Sequence, residues 1–223
     1  MNNSLVSNTQ TSVQNRVLKN TYMLLALSML PTIAGAWFGI SSGIMNSFGG
    51  MLSLIIFFAG AFGFIFLIEK NKNSPVGVAL LLGFTFFMGV MLSRLVGHVL
   101  GFSNGAELIM LAFGGTATIF GGMAFLSTVI KKDLSSIGKF LFIGLIMLII
   151  ASIANVFIGS ATLMIVLSVI AIGIFSAFLL YDLQRIVNGG ETNYISATLS
   201  IYLSLFNIFQ SLLSLLGIFG GED

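Results

Sequence analysis

Asp182 and Arg185 are the residues with the most chemistry to offer, because a carboxylate and a guanidinium three positions apart follow directly on the long apolar run from Thr162 to Leu180. On a helix that spacing is one turn, so the two can pair as ions at the mouth of a bundle. A carboxylate so placed could bind a cation, take up a proton or close a gate; the plainer expectation is that Asp182 and Arg185 satisfy one another. A second polar set lies in the last apolar run. Ser200, Ser204, Asn207, Ser211 and Ser214 advance in steps of four and three, which aligns them along one helical stripe, while Leu203, Phe206, Phe209 and Leu213 form another face. Such a stripe should face protein or water rather than lipid, either lining a pathway or supplying hydrogen bonds between helices.

Other chemistry is scarce. With no Cys and one His there is no disulfide framework, thiol nucleophile, zinc cluster or paired-imidazole metal site. A phosphate-cradling Gly-Lys-Ser/Thr loop, a zinc-protease His-Glu motif and a catalytic pair of carboxylates are all missing, so neither an enzyme nor a bound cofactor is expected. Arg94 and His98, one turn apart with Glu107 beyond, read as interfacial, solvated residues, with an outer-vestibule pair as the sharper alternative.

The elements that position these groups follow from composition. The 223 residues are 57% hydrophobic and 7% charged, with 22 Phe and 11 Met. A surface facing water everywhere cannot be built from so few charges, and ordinary soluble domains carry roughly 25%. Seven runs of near-spanning length, Thr21 to Ile40, Gly50 to Ile68, Val76 to Leu92, Leu108 to Ile130, Phe140 to Gly159, Thr162 to Leu180 and Ala197 to Leu216, predict an all-α polytopic membrane protein. Residues 1–15, uncharged and rich in Ser, Thr, Asn and Gln, predict a flexible polar cytoplasmic tail, and residues 16–223 a single transmembrane domain. A removed leader ending at Ala34-Gly35-Ala36, which resembles a signal-peptidase site, is the rival reading of the first run.

Charge orients the bundle. Arg16, Lys19, Lys70, Lys72, Lys131, Lys132, Lys139 and Arg185 fall on one side of the spans and only Arg94 on the other. By the positive-inside rule this predicts a cytoplasmic amino terminus and a carboxyl terminus outside, periplasmic in a bacterium. The basic residues thus serve orientation, and no nucleic acid partner is expected. Tyr22 and Trp37, about 22 Å apart on a helix, suit aromatic anchors at the two interfaces. Small residues at four-residue spacing, as in Gly35/Gly39 and Gly114/Thr118/Gly122, predict close helix packing within the bundle, or else a dimerisation or sliding face.

The stretch Leu180-Tyr181-Asp182-Leu183-Gln184-Arg185-Ile186, then Gly189-Gly190-Glu191-Thr192-Asn193-Tyr194 and Tyr202-Leu203-Ser204-Leu205-Phe206-Asn207-Ile208-Phe209, resembles the Bax inhibitor family, most closely its bacterial YccA-like branch. Supporting segments are Asn20-Thr21-Tyr22-Met23-Leu24-Leu25 and Phe113-Gly114-Gly115-Thr116-Ala117. The resemblance implies seven transmembrane helices with the seventh surrounded by the other six. Some members of the family conduct calcium slowly and pH-dependently through two aspartates. Asp182 matches the first; Ser204 stands at the second, and the apolar part of the second span offers no Arg to latch such a pair. The YccA-like branch is associated with the membrane-anchored protease FtsH and its HflK/HflC scaffold, as substrate and modulator. The resemblance therefore implies an inner-membrane regulator that binds and modulates the FtsH complex. The alternative is a pH-sensitive cation leak with Asp182 at its gate and calcium as the permeant ion, which the missing second carboxylate disfavours.

Overall fold

The computed structural model describes residues 2–130, 134 and 136–221. Seven long helices follow one another: α1 Asn2–Ser42, α2 Gly50–Asn71, α3 Pro75–Leu100, α4 Gly105–Val129, α5 Ile137–Ile158, α6 Ala161–Val187 and α7 Tyr194–Gly220, with a short 3-10 turn, Ile44–Asn46, after α1. Each contains a stretch long and apolar enough to cross a bilayer, from Gln14–Ser42 in α1 to Tyr194–Gly220 in α7. The chain is a multi-pass membrane protein.

The helix ends obey local chemistry. Pro75, with φ fixed and no N–H to satisfy, opens α3 at its first turn. Ser160 Oγ accepts from Leu163 N at 3.2 Å to open α6. Between α5 and α6 the chain reverses on Gly159, whose φ of 68° is left-handed and whose N–H donates to Asn155 O at 2.8 Å. Several helices outrun their apolar cores. α6 continues through Asp182 and Arg185 to Val187, and α3 through Arg94 and His98 to Leu100, since nothing in those flanks breaks a helix.

The amino-terminal end of α1 outruns its apolar core in the same way. Residues 2–15, predicted as a flexible tail, carry the backbone of α1 outward without interruption. They contain neither Gly nor Pro, and once the apolar run has nucleated a helix, each further residue adds one hydrogen bond at little cost.

Odd-numbered helices begin, and even-numbered helices end, on one face. There Asn193, just before α7, reaches Lys72 between α2 and α3, and Gln184, near the end of α6, reaches Ile130 and Leu134 between α4 and α5. On the opposite face the Asn104 amide, before α4, donates to Gly220 O at the end of α7. Arg16, Lys19, Lys70, Lys72, Lys139 and Arg185 belong to the first, basic face and Arg94 to the other. Lys131, Lys132, Asp133, Glu222 and Asp223 lie outside the described residues.

α7 packs against α1, α2, α3, α4 and α6, while α5 leans on α6 as an outer buttress. Phe84, Met88, Leu179 and Leu183 are fully buried around it, as are Tyr202 and Ile208 of α7 itself. α1 and α3 approach most closely. A Cβ on Gly35 would overlap the Phe86 carbonyl and one on Gly89 the Thr32 carbonyl, so each helix supplies a glycine for the other's backbone. Gly114, Gly121 and Gly122 of α4, by contrast, face outward with nothing against them. Outward-facing Phe140 is 74% exposed and Trp37 70%, surfaces that only acyl chains or headgroups can cover. Tyr22, the other expected anchor, packs partly inside the bundle. It is half-buried against Phe120 of α4, ring centroids 5.9 Å apart at 83°.

Candidate functional site

The basic face gathers the polar side chains that the sequence singles out. Asp182 lies on the last turns of α6, half-buried. Its expected partner is elsewhere: among the described residues Asp182 makes no ion pair, and Arg185 Nη2 lies 3.4 Å from Glu191 Oε2. Local geometry explains the exchange. Glu191 N donates to Arg185 O at 3.1 Å, and Glu191 Oε1 accepts from Asn193 N at 2.9 Å, which fixes the carboxylate beside the guanidinium. The Tyr181 ring supports Arg185 from another side, 5.7 Å from ring centroid to Cζ. One-turn spacing permitted the Asp182–Arg185 pair, but a turn folded back on α6 supplied a better placed acid.

That turn does more than reverse the chain. Gly190 N also donates to Arg185 O, at 2.7 Å, and Gly189 takes the left-handed φ of 75° that the reversal needs. Asn193 then caps α7: its Oδ1 accepts from Ile195 N at 2.9 Å and Ser196 N at 3.1 Å. Its Nδ2 donates to Lys72 O at 3.0 Å and Asn73 Oδ1 at 2.8 Å, tying the start of α7 to the α2–α3 turn. Lys72 in turn pairs with Glu69 at 2.9 Å. The hydrogen bond and charge of Glu69 hold the Lys72 ammonium above the ordinary lysine range.

Beside Asp182, the buried Gln184 holds the α4–α5 connection with both ends of its amide. Oε1 accepts from Leu134 N at 3.1 Å and Nε2 donates to Ile130 O at 3.0 Å. Sequence reading passed over Gln184, although a neutral amide at the edge of an apolar span already signals a buried hydrogen-bond partner.

The predicted stripe on α7 is buried or half-buried along its length. Ser204 is buried, Ser200, Asn207 and Ser211 are half-buried, and Asn207 Nδ2 donates back to Leu203 O of its own helix at 2.8 Å. Among the described residues, the side-chain hydrogen bonds from α7 to other helices come from outside the stripe. Tyr202 Oη lies 2.9 Å from Thr32 Oγ1 and 3.4 Å from Thr85 O, and Thr198 Oγ1 donates to Thr21 O at 3.3 Å. The signal for Tyr202 was its phenol in an apolar span, which must find a partner when buried. Counted by helical rise from the α6–α7 reversal, Asp182 is level with about Leu199, and Ser204 about 7 Å deeper.

Two clefts flank the bundle. One, about 660 Å³, opens on the basic face between α1, the α2–α3 turn and the start of α7. The other, about 400 Å³, lies toward the opposite face and is lined by Arg94, His98 and Gln210; His98 packs edge-on against Phe102 at 5.2 Å. Among the described residues no group of three His, Cys, Asp or Glu could hold a metal ion.

The family model described as inhibitor of apoptosis-promoting Bax1 matches residues 14–221, all seven spans. The chain belongs to the Bax inhibitor family. Relatives within this family include a membrane protein of Vibrio cholerae, 38% identical over 94% of this chain and 92% of its own. Another is the modulator of FtsH protease YccA of Escherichia coli, 37% identical over the same shares. A protein of Neisseria meningitidis is 35% identical over 94% of each chain. In this Bax inhibitor family member the Tyr181-Asp182 step sits beside the Gln184 amide bridge, and position 204 carries a hydroxyl.

Proposed function

We propose that this protein is a bacterial inner-membrane regulator that binds and modulates the FtsH protease complex. The observation that carries the reading is its 37% identity across 92% of a relative named as a modulator of that protease. The basic face is then cytoplasmic, the carboxyl terminus periplasmic, and α1 extends its polar first turns toward a protease that works from the cytoplasm. HflK and HflC, the scaffold implied by the resemblance, would share the same assembly. Against conduction stand a hydroxyl at Ser204, a depth difference of about 7 Å from Asp182, and the Tyr202 and Thr198 hydroxyls of α7 committed to its neighbours. The test is detergent co-purification with FtsH, run beside calcium flux in liposomes. Co-elution without flux supports regulation; steep pH-dependent calcium flux with no co-elution replaces it with a leak.

A further inference from the structure

The cleft of about 660 Å³ on the basic face falls in the size range of small-ligand pockets, about 300–1,000 Å³. Its lining divides by chemistry. Val17, Val78 and Tyr194 form an apolar wall, while Arg16, Asn20 and Asn73 present polar groups. Of the two charged residues that line the cleft, Arg16 and Lys72, only one is matched. Lys72 is paired with Glu69 and Arg185 with Glu191, whereas Arg16, exposed at the rim, has no ionic partner among the described residues.

The helix ends here are not the donors. Ile195 and Ser196 N–H groups at the start of α7 are taken by Asn193 Oδ1, and Gly77 N in α3 by Ser74 O. What remains is side-chain chemistry. Asn73 Oδ1 accepts from Asn193 Nδ2, so the carbonyl half of that amide is committed and its NH2 donors are not. Asn20 makes no side-chain hydrogen bond among the described residues and lines the same cleft.

We propose that this cleft binds a phosphate ester, with the Arg16 guanidinium neutralising the anion and the Asn20 and Asn73 amides donating to its oxygens. A planar fork of donors suits phosphate oxygens. The apolar wall accepts the carbon skeleton of the ester. Basic pockets between helix ends at the membrane surface suit anionic headgroups, and the same chemistry would hold a soluble phosphate ester. The site requires no protease partner, so it stands apart from the regulatory reading.

The experiment is native mass spectrometry of the full-length, delipidated protein in detergent with phosphatidylglycerol, with and without glycerol 3-phosphate as competitor. A retained phosphatidylglycerol adduct that the competitor does not displace assigns a lipid headgroup; displacement assigns a soluble ester. Arg16→Gln should lower adduct occupancy about tenfold, the loss of one charge-assisted contact. Asn73→Ala should lower it less, Arg16→Lys should restore most of it, and Arg94→Gln on the opposite face should leave it unchanged. Equal retention by Arg16→Gln and the unsubstituted protein, equal loss in Arg94→Gln, or no adduct at all would overturn the proposal.

Discussion

Gln184→Leu tests whether the loop beside Asp182 is held by one side chain. Leucine keeps a similar volume but removes the bonds to Leu134 N at 3.1 Å and Ile130 O at 3.0 Å. A net hydrogen bond contributes about 0.5–1.5 kcal/mol, and a buried donor left without a partner costs about 1–3 kcal/mol. Leu134 is 9% exposed, so its N–H carries the larger penalty, while the half-buried Ile130 carbonyl can turn to water. Together these put the local loss at about 2–4 kcal/mol, or about 30- to 700-fold in the opening equilibrium. Hydrogen exchange in lipid nanodiscs reads it directly, because amides that exchange by local opening speed up by that factor. The peptide covering 130–137 should accelerate while that covering 71–77, tied through Asn193, stays as it was. Acceleration under threefold in 130–137 would refute the bracing role, and equal acceleration in both peptides would show that the whole bundle had loosened instead. Gln184→Glu should fall between, since a carboxylate can still accept from Leu134 N but repels Ile130 O.

Gly89→Val should cost about 1–3 kcal/mol through overpacking against the Thr32 carbonyl and lower the melting midpoint in detergent. Gly121→Val, on an open face, should leave that midpoint unchanged. A periplasm-specific reporter fused after Asp223 should be active, and one inserted at Lys72 silent; the reverse would mean the basic face is outside. Deleting residues 2–13, which lie before the apolar span that begins at Gln14, should leave the bundle folded and lengthen its lifetime in cells containing FtsH. Unchanged turnover at equal expression would remove those residues from the regulatory reading. Ser204→Asp should gain pH-dependent calcium flux in liposomes that the unsubstituted protein lacks, and flux already present in the latter would reverse the ranking of regulator over leak.

How far the sequence reveals this molecule depends on the range of the force involved. The seven spans were legible because burial in lipid acts on every residue of a run and its length is fixed by the bilayer. The Gly35/Gly39 strip was legible as packing, since a flat strip has few other uses, and it does meet α3. The partner of Arg185 was not. Spacing on α6 names Asp182 as a candidate, but the choice was made by Glu191, whose position depends on a reversal at Gly189 and on the cap at Asn193. The stripe on α7 is buried or half-buried, yet the links between helices pass through Tyr202 and Thr198, where reach matters more than period. The extent of α1 is not legible from polarity, which argues against burial and not against helix.

The central position of α7 has a consequence for biogenesis. A ribosome delivers this helix after the five helices that enclose it are already made. Until it arrives, the Thr32 hydroxyl and the Thr85 and Thr21 carbonyls lack the partners that Tyr202 and Thr198 provide, and the slot between α1, α3, α4 and α6 is empty. A chain stalled or truncated before Tyr194 is therefore a six-helix intermediate with an unfilled, partly polar seam inside the membrane, the kind of feature that retains a nascent protein at the insertion machinery. Once in place, α7 is tied at both ends, through Asn193 on one face and through Asn104 and Gly220 on the other.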